Sequence, residues 1–288
     1  MSNIRARQLL SNKSITIPTL PAVVQKVQTL LENPNTGAKE LGDVVASDAP
    51  LAAKVLKIAN SAYYGLRERC IAPQHASAVL GVRVLRNVVT QAAVISKYDH
   101  LKGSGFDLTA LWKHSILVAQ ACNFLGKRCR ATIGLSGDEL YVCGLLHDLG
   151  QVVLLDCLRA DYLAVVDYAR EKNLPLHAAE AEKLGFGHTD IGHVVALQWG
   201  LPPQIGNAIL HHHGSAEELA SDPVVALVAS VNQLVHRVTE GNLGAAATTI
   251  DARTQNQLGI QATDVTDLVG RAHAEPARHP GDRRHRPR

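Results

Sequence analysis

His147 and Asp148 stand side by side in Gly144-Leu145-Leu146-His147-Asp148-Leu149-Gly150-Gln151, an otherwise apolar stretch of helical pattern. An imidazole nitrogen next to a carboxylate oxygen is a donor set for Mn, Fe, Ni or Zn, whereas all-oxygen sites suit Mg or Ca. A dication held there polarises a phosphoryl oxygen and lowers the pKa of a bound water toward neutrality. Neighbours on one helix point ~100° apart, so the pair shares an ion only where it lies between both directions. The remaining ligands must come from other helices, and His114, His188, His212 and His213 are the candidates.

Each candidate also has a plainer reading. A lone histidine on an apolar helix, as at His114, is commonly a hydrogen-bonded core residue. A buried Asp148 needs a partner, and backbone or histidine donors could satisfy it without a metal. The run His211-His212-His213 could be a solvated helix end, where imidazolium complements the helix dipole. The ordered set His114, His147, Asp148, His188 and His212 favours a shared site over these separate explanations.

The elements that must position these residues read as helices throughout, with no convincing strand and no internal repeat. Pro21 starts a helix, with Val23, Val24, Val27, Leu30 and Leu31 at helical spacing. Ser47 and Asp48 are capping candidates ahead of Pro50. Residues 75–89 read as two helices hinged at Gly81, with Arg83 and Arg86 on one face. That pattern invites a DNA-binding helix-turn-helix, but the surrounding Val and Leu make the second helix too apolar to lie in a groove. The arginines read instead as a solvated face, and nucleic acid is not an expected partner. Further helices are expected over residues 111–122, 161–171, 177–184, 188–199 and 223–237. Asp138 is a candidate cap for the His147-Asp148 helix, and a last helix is expected over 262–274 with Thr263 as cap.

Composition narrows the class further. The chain has 288 residues, aromatics are 4%, and Leu, Val and Ala dominate, which favours close-packed helices. Net charge is +3, with much of the excess in Arg283, Arg284, Arg286 and Arg288, so the body is near neutral and gives no reason to expect an acidic surface as partner. Cys70, Cys122, Cys129, Cys143 and Cys157 form no C-x-x-C pair, which points to reduced, buried thiols. No signal-like N-terminus and no run near the ~20 apolar residues of a membrane span are evident. A soluble, cytoplasmic protein is expected.

Ile17-Pro18-Thr19-Leu20-Pro21, Ser47-Asp48-Ala49-Pro50-Leu51, Ala59-Asn60-Ser61-Ala62-Tyr63-Tyr64, the Gly144–Gly150 motif and Trp199-Gly200-Leu201-Pro202 occur in that order. Together they resemble the HDOD family, the HD-related output domain of bacterial signal-transduction proteins, over residues 15–240. The resemblance implies an all-α, multi-helix HD-like domain with an N-terminal helical subdomain. With a boundary at Lys102-Gly103-Ser104-Gly105 and an end rich in Pro, Arg, His and Gly, the expected division is residues 1–103 (N-terminal helical subdomain), 104–240 (HD-like core), 241–275 (linker and C-terminal helix) and 276–288 (disordered basic tail).

The family is similar to the HD and HD-GYP metal phosphohydrolases, whose ligands carry over onto His114, His147, Asp148, His188, His212 and His213. Asn232 stands in place of the final ligand aspartate, Gln151 in place of a phosphate-contacting lysine, and Gly214-Ser215 in place of the GYP signature. Ala110 stands one turn before His114, where a two-metal site often has a carboxylate. The resemblance therefore implies a regulatory output module with a degenerate pocket for a divalent transition metal (Fe, Mn, Ni or Zn). It would act through a signalling protein partner on residues 15–100, with a nucleotide as a second ligand class. A metal-dependent phosphohydrolase acting on a cyclic dinucleotide is the alternative.

Overall fold

A computed structural model describes residues 19–33, 36–239 and 249–273. The expectations for residues 15–18, the linker at 241–248 and the tail at 276–288 lie outside the described residues. Within them, all regular secondary structure is helical.

The N-terminal helices are α1 (Ala22–Glu32), α2 (Ala38–Ala46), α3 (Ala49–Ala59), α4 (Pro73–Leu80) and α5 (Val82–Lys97). Asp48 caps α3 by accepting from the Leu51 N–H at 3.0 Å. Gly81 joins α4 to α5 at φ +80°, a conformation that L-residues with a side chain rarely adopt. The α5 helix buries Leu85, Val88 and Val89, each contributing roughly 1.5–3 kcal/mol. It also ties the N-terminal helices to the rest of the molecule. Asn87 donates to the Asp138 carbonyl at 2.9 Å, and the Tyr141 hydroxyl donates to Gln91 at 2.7 Å. Arg83 is exposed, but Arg86 is half-buried. The expectation of two solvated arginines therefore holds for only one of them, because α5 rolls Arg86 toward the interior.

The second part comprises α6 (Leu108–Gly126), α7 (Arg130–Ile133), α8 (Gly137–Leu146), α9 (Leu149–Leu158), α10 (Ala160–Lys172), α11 (Leu176–Lys183), α12 (His188–Gln198), α13 (Pro203–His211), α14 (Ala216–Ser221) and α15 (Pro223–Thr239). Helices α16 (Ala252–Leu258) and α17 (Ala262–His273) follow, with Thr263 inside the first turn of α17 rather than at its cap. One apolar core runs from Leu20 to Val265 through both parts. All five cysteines are free, Cys157 half-buried and the other four buried.

Two sequence expectations change at the His-Asp pair. The expected single helix is two, broken at His147 and Asp148 between α8 and α9. Its cap is Ser136 rather than Asp138: the Glu139 N–H donates to the Ser136 hydroxyl, and the Glu139 carboxylate accepts from the Ser136 N–H at 2.8 Å. The stretch Gly137–Leu158 is also long and apolar enough to pass as a membrane span, contrary to the expectation from residue runs, but 89% of its most apolar 18-residue window is buried inside the fold. It is a core element, broken by two polar residues.

The glycines around the pair answer to packing. A Cβ on Gly144 would sit 2.8 Å from the Ala119 Cα of α6. One on Gly150 would sit 1.8 Å from the His188 carbonyl oxygen of α12. The backbones of α8 and α9 thus approach their neighbours more closely than any side chain permits. This contact brings the start of α12 beside the His147-Asp148 break.

Candidate metal centre

His147, Asp148, His188 and His212 all sit at helix ends, and this explains how each is held. The last carbonyls of a helix lack intrahelical partners. His147 follows α8 and its Nδ1 bonds the Gly144 carbonyl at 2.7 Å. His212 follows α13 and its Nδ1 bonds the Ile209 carbonyl at 2.8 Å. A carbonyl only accepts, so both rings carry a proton on Nδ1, which leaves Nε2 as the nitrogen turned to the site. Asp148 occupies the N-cap of α9 but makes no capping bond. Its carboxylate is turned to the histidines instead.

His188 opens α12, where backbone N–H groups lack partners. Glu180 on α11 satisfies it twice with one oxygen, accepting from the His188 backbone N–H at 2.9 Å and from ring Nδ1 at 2.6 Å. The other Glu180 oxygen accepts from the Tyr162 hydroxyl at 2.6 Å. Glu180 and Tyr162 are fully buried.

The Nε2 atoms then converge on Asp148. His188 and His212 stand 3.2 and 3.4 Å from Oδ1 and 3.3 Å from each other, while His147 stands 3.2 Å from Oδ2. All four residues are at most 5% exposed. Yet Asp148 Oδ1 and His147 Nε2 are buried without an aligned hydrogen-bond partner. Such orphans are rare and call for an explanation. Ligands at ~2.0–2.1 Å from a tetrahedral ion stand about 3.3–3.4 Å apart, which is the spacing of the triangle formed by Asp148 Oδ1, His188 Nε2 and His212 Nε2. The donor set and its spacing fit a first-row divalent ion. Two groups of ligand atoms share Asp148: one with His188, His212 and His213, the other with His114 and His147.

His114 and Asn232 behave differently. Both lie inside helices, α6 and α15, and they bond each other: His114 Nε2–H donates to Asn232 Oδ1 at 2.8 Å. That nitrogen therefore carries a proton, and it is 3.9 Å from Asp148 Oδ2. His236 stacks on the His114 ring at 4.2 Å. His213 is exposed and stacks on His177 at 4.1 Å. Gln151 is half-buried at the third position of α9, and no bond joins its amide to the cluster among the described residues.

Electrostatics divide the histidines. Burial pushes His212 down to about 4 and His114 down to about 3, each helped by the nearby His147. Burial would also lower His188, but Glu180 and Asp148 outweigh it and raise it to about 10. Burial works to raise Asp148, yet His147, His188 and His212 hold it well below the usual carboxylate range. Without a metal, His188 is thus the cation between two carboxylates.

Sequence reading found His114, His147, Asp148, His188, His212, His213 and Asn232 in one region, but it missed Glu180, Tyr162, His177 and His236. Glu180 lies in His177-Ala178-Ala179-Glu180-Ala181-Glu182. Nothing there separates it from Glu182, which is exposed and accepts from Tyr168.

The helical arrangement and the His-Asp cluster define an HD-like domain with a site suited to a metal. The HDOD domain family matches residues 17–215, and the chain belongs to that family. Similar folds include an HDOD domain protein of unknown function from Geobacter sulfurreducens, 24% identical, covering 94% of this chain and 93% of that one at TM-score 0.78. A Shewanella amazonensis SB2B protein, whose name assigns it provisionally to the phosphohydrolases, is 22% identical over 93% of this chain and 94% of that one, at TM-score 0.74. A Marinobacter aquaeolei VT8 protein, provisionally named for signal transduction, is 23% identical, covering 94% of this chain and 63% of that one, at TM-score 0.73. At these identities the likeness is one of fold. An uncharacterized Treponema pallidum protein is 28% identical over 222 residues, which span 76% of this chain and 42% of that protein.

Proposed function

We propose that the chain is a signal-transduction output module whose HD-type centre holds one divalent transition metal and does not turn over a phosphoester. The carrying observation is the bond between His114 and Asn232. On the Oδ1 side of Asp148, His188 and His212 turn their Nε2 atoms to the place of an ion, which would displace the His188 proton, with His213 beside them. On the Oδ2 side only His147 turns a ring nitrogen to the carboxylate at close range, because His114 is turned to Asn232. A second ion there lacks its carboxylate, since the amide of Asn232 brings no charge. Hydrolysis of a phosphoester draws most of its acceleration from charges placed where negative charge develops. Asn232 and Gln151 remove two of those charges.

When bound, the ion would supply Lewis acidity and fix the three helix ends relative to one another. The chain's own residues set the rest. Glu180 and the two carbonyls orient the rings, and burial keeps His212 neutral. Output would then pass through contact with a signalling protein, with the N-terminal helices as the surface and a nucleotide as a second ligand class. The likeness of the fold to a protein provisionally named for signal transduction supports this reading, as does a His-Asp cluster able to hold an ion.

The test is metal analysis of the purified chain with cyclic dinucleotide hydrolysis by wild type and Asn232→Asp. One equivalent of metal and no turnover in wild type is the expected result. A second equivalent is expected in the variant. Enzyme-like turnover by the wild type would instead support the phosphohydrolase alternative.

A further inference from the structure

Between the N-terminal helices and the metal-site core lies a cavity of about 380 Å³, within the size range of small-ligand sites. Its walls are mostly apolar. Val24 of α1 and Val94 of α5 form one side; Cys143 and Leu146 of α8, with Trp199 and Leu201, form the other. Arg86 also lines it. This arginine is half-buried, and its Nε–H is fully buried with no hydrogen-bond partner. Glu139, also on the wall, feels the Arg86 charge but makes no ion pair with it among the described residues, and its Oε2 is bonded to the Ser136 N–H and hydroxyl. A guanidinium in a largely apolar pocket, with a donor unused, is matched by a planar or tetrahedral oxyanion that takes two parallel N–H bonds.

We infer that this cavity binds a small amphipathic anion, a carboxylate or phosphate group on an apolar body, with the head on Arg86 and the body against Trp199 and Leu146. Its walls are continuous with the elements that carry the metal ligands. Leu146 immediately precedes His147, and the Trp199–Pro202 turn joins the helix that starts at His188 to the helix that ends before His212. A ligand that shifts either wall shifts a ligand end. Occupancy is therefore coupled to metal affinity, a coupling that rests on the metal reading above, whereas binding itself does not.

The test uses the full chain, stripped of metal by chelator, titrated with decanoate, decyl phosphate and decanol and followed by calorimetry and tryptophan fluorescence. At least one anion is expected to saturate below about 1 mM, with decanol weaker by about tenfold or more, since a charge-assisted pair is lost. Arg86→Gln is expected to weaken the anion about tenfold and leave decanol unchanged. Arg86→Lys, which keeps the charge but loses the fork, is expected to fall between. The inference is overturned if no probe binds, if decanol binds as tightly as the anions in wild type, or if a folded Arg86→Gln binds as wild type does. A final arm compares Mn²⁺ affinity with and without the saturating anion. A change of about threefold or more supports the coupling, and an unchanged affinity removes it.

Discussion

Replacing Glu180 by Gln keeps its volume and removes its charge. One amide oxygen can still accept from the His188 backbone and ring, while the amide N–H₂ faces the Tyr162 hydroxyl, which rotates to accept. The fold should survive, and the change should be read at His188. In the wild type His188 is raised to about 10, chiefly by Glu180. At pH 7.5 the metal-free ring is therefore doubly protonated, and a metal must displace that proton. Binding should release about one proton, and log K should climb by about one per pH unit up to pH ~10. In Glu180→Gln the His188 pKa falls. Fewer protons are released and the pH slope flattens.

Two effects oppose each other in that variant. A less basic ring binds the ion about 10–100-fold more weakly, the usual consequence of losing a carboxylate behind a ligand histidine. It also competes less for a proton. At neutral pH these partly cancel, so a single affinity at pH 7 discriminates poorly. The measurement is calorimetry in buffers of differing ionisation enthalpy, from pH 6.5 to 9. The reasoning is refuted if a folded Glu180→Gln releases as many protons per metal as wild type and keeps the same pH slope.

In the metal-free protein, His212 and His114 are neutral down to about 4 and 3, whereas unfolded histidines titrate near 6.5. Their stabilisation is present above pH ~6.5 and is lost as pH falls through the folded values. Raised His188 contributes a constant amount below pH ~6.5, so it does not mask this. Near pH 5 these two histidines alone make the unfolded chain bind about two more protons, a slope of about 2.7 kcal/mol per pH unit, and desolvation of His213 and His177 acts in the same direction. Urea melts between pH 4.5 and 6 with chelator present check this, and a flat profile contradicts it. For Gly150→Ala, the added methyl meets the His188 carbonyl at 1.8 Å, so α9 and α12 must separate. A loss of about 1–3 kcal/mol is expected together with weakened metal binding, read by calorimetric melting and metal titration. Unchanged melting would mean that the contact is not tight.

Helix order was legible because apolar spacing, prolines and caps such as Asp48 act locally. The cluster was legible through residue type alone, since few structures need His114, His147, His188 and His212 all in apolar surroundings. What escaped was set by tertiary contact. No local pattern says that the chain breaks at His147-Asp148, because the break is stabilised by the Gly150 approach to α12 and by Asp148 turning from its cap position to the histidines. Glu180 escaped for the same reason. Its partners Tyr162 and His188 lie 18 and 8 residues away on other elements, and an alanine-rich helix does not advertise which face is buried.

If the site is non-catalytic as proposed, the split between helix-end and mid-helix residues accounts for a centre that keeps its structure without its full ligand set. The residues on Asp148 Oδ1 are oriented by backbone groups that any helix terminus supplies, and by Glu180, which also satisfies an N–H of α12. Their orientation follows from the fold itself and does not depend on Asn232. His114 and Asn232 project from the middle of α6 and α15, where no backbone group is free to hold a ring. Each depends on its partner across the interface. Once the partner is an amide, a single 2.8 Å hydrogen bond pairs His114 Nε2 with Asn232 Oδ1 across α6 and α15. An aspartate at position 232 would instead place a second buried carboxylate near Asp148, which needs a compensating cation. The amide therefore relieves the domain of a demand for a second ion, and the Oδ1 triangle remains as the part of the centre that the fold builds regardless.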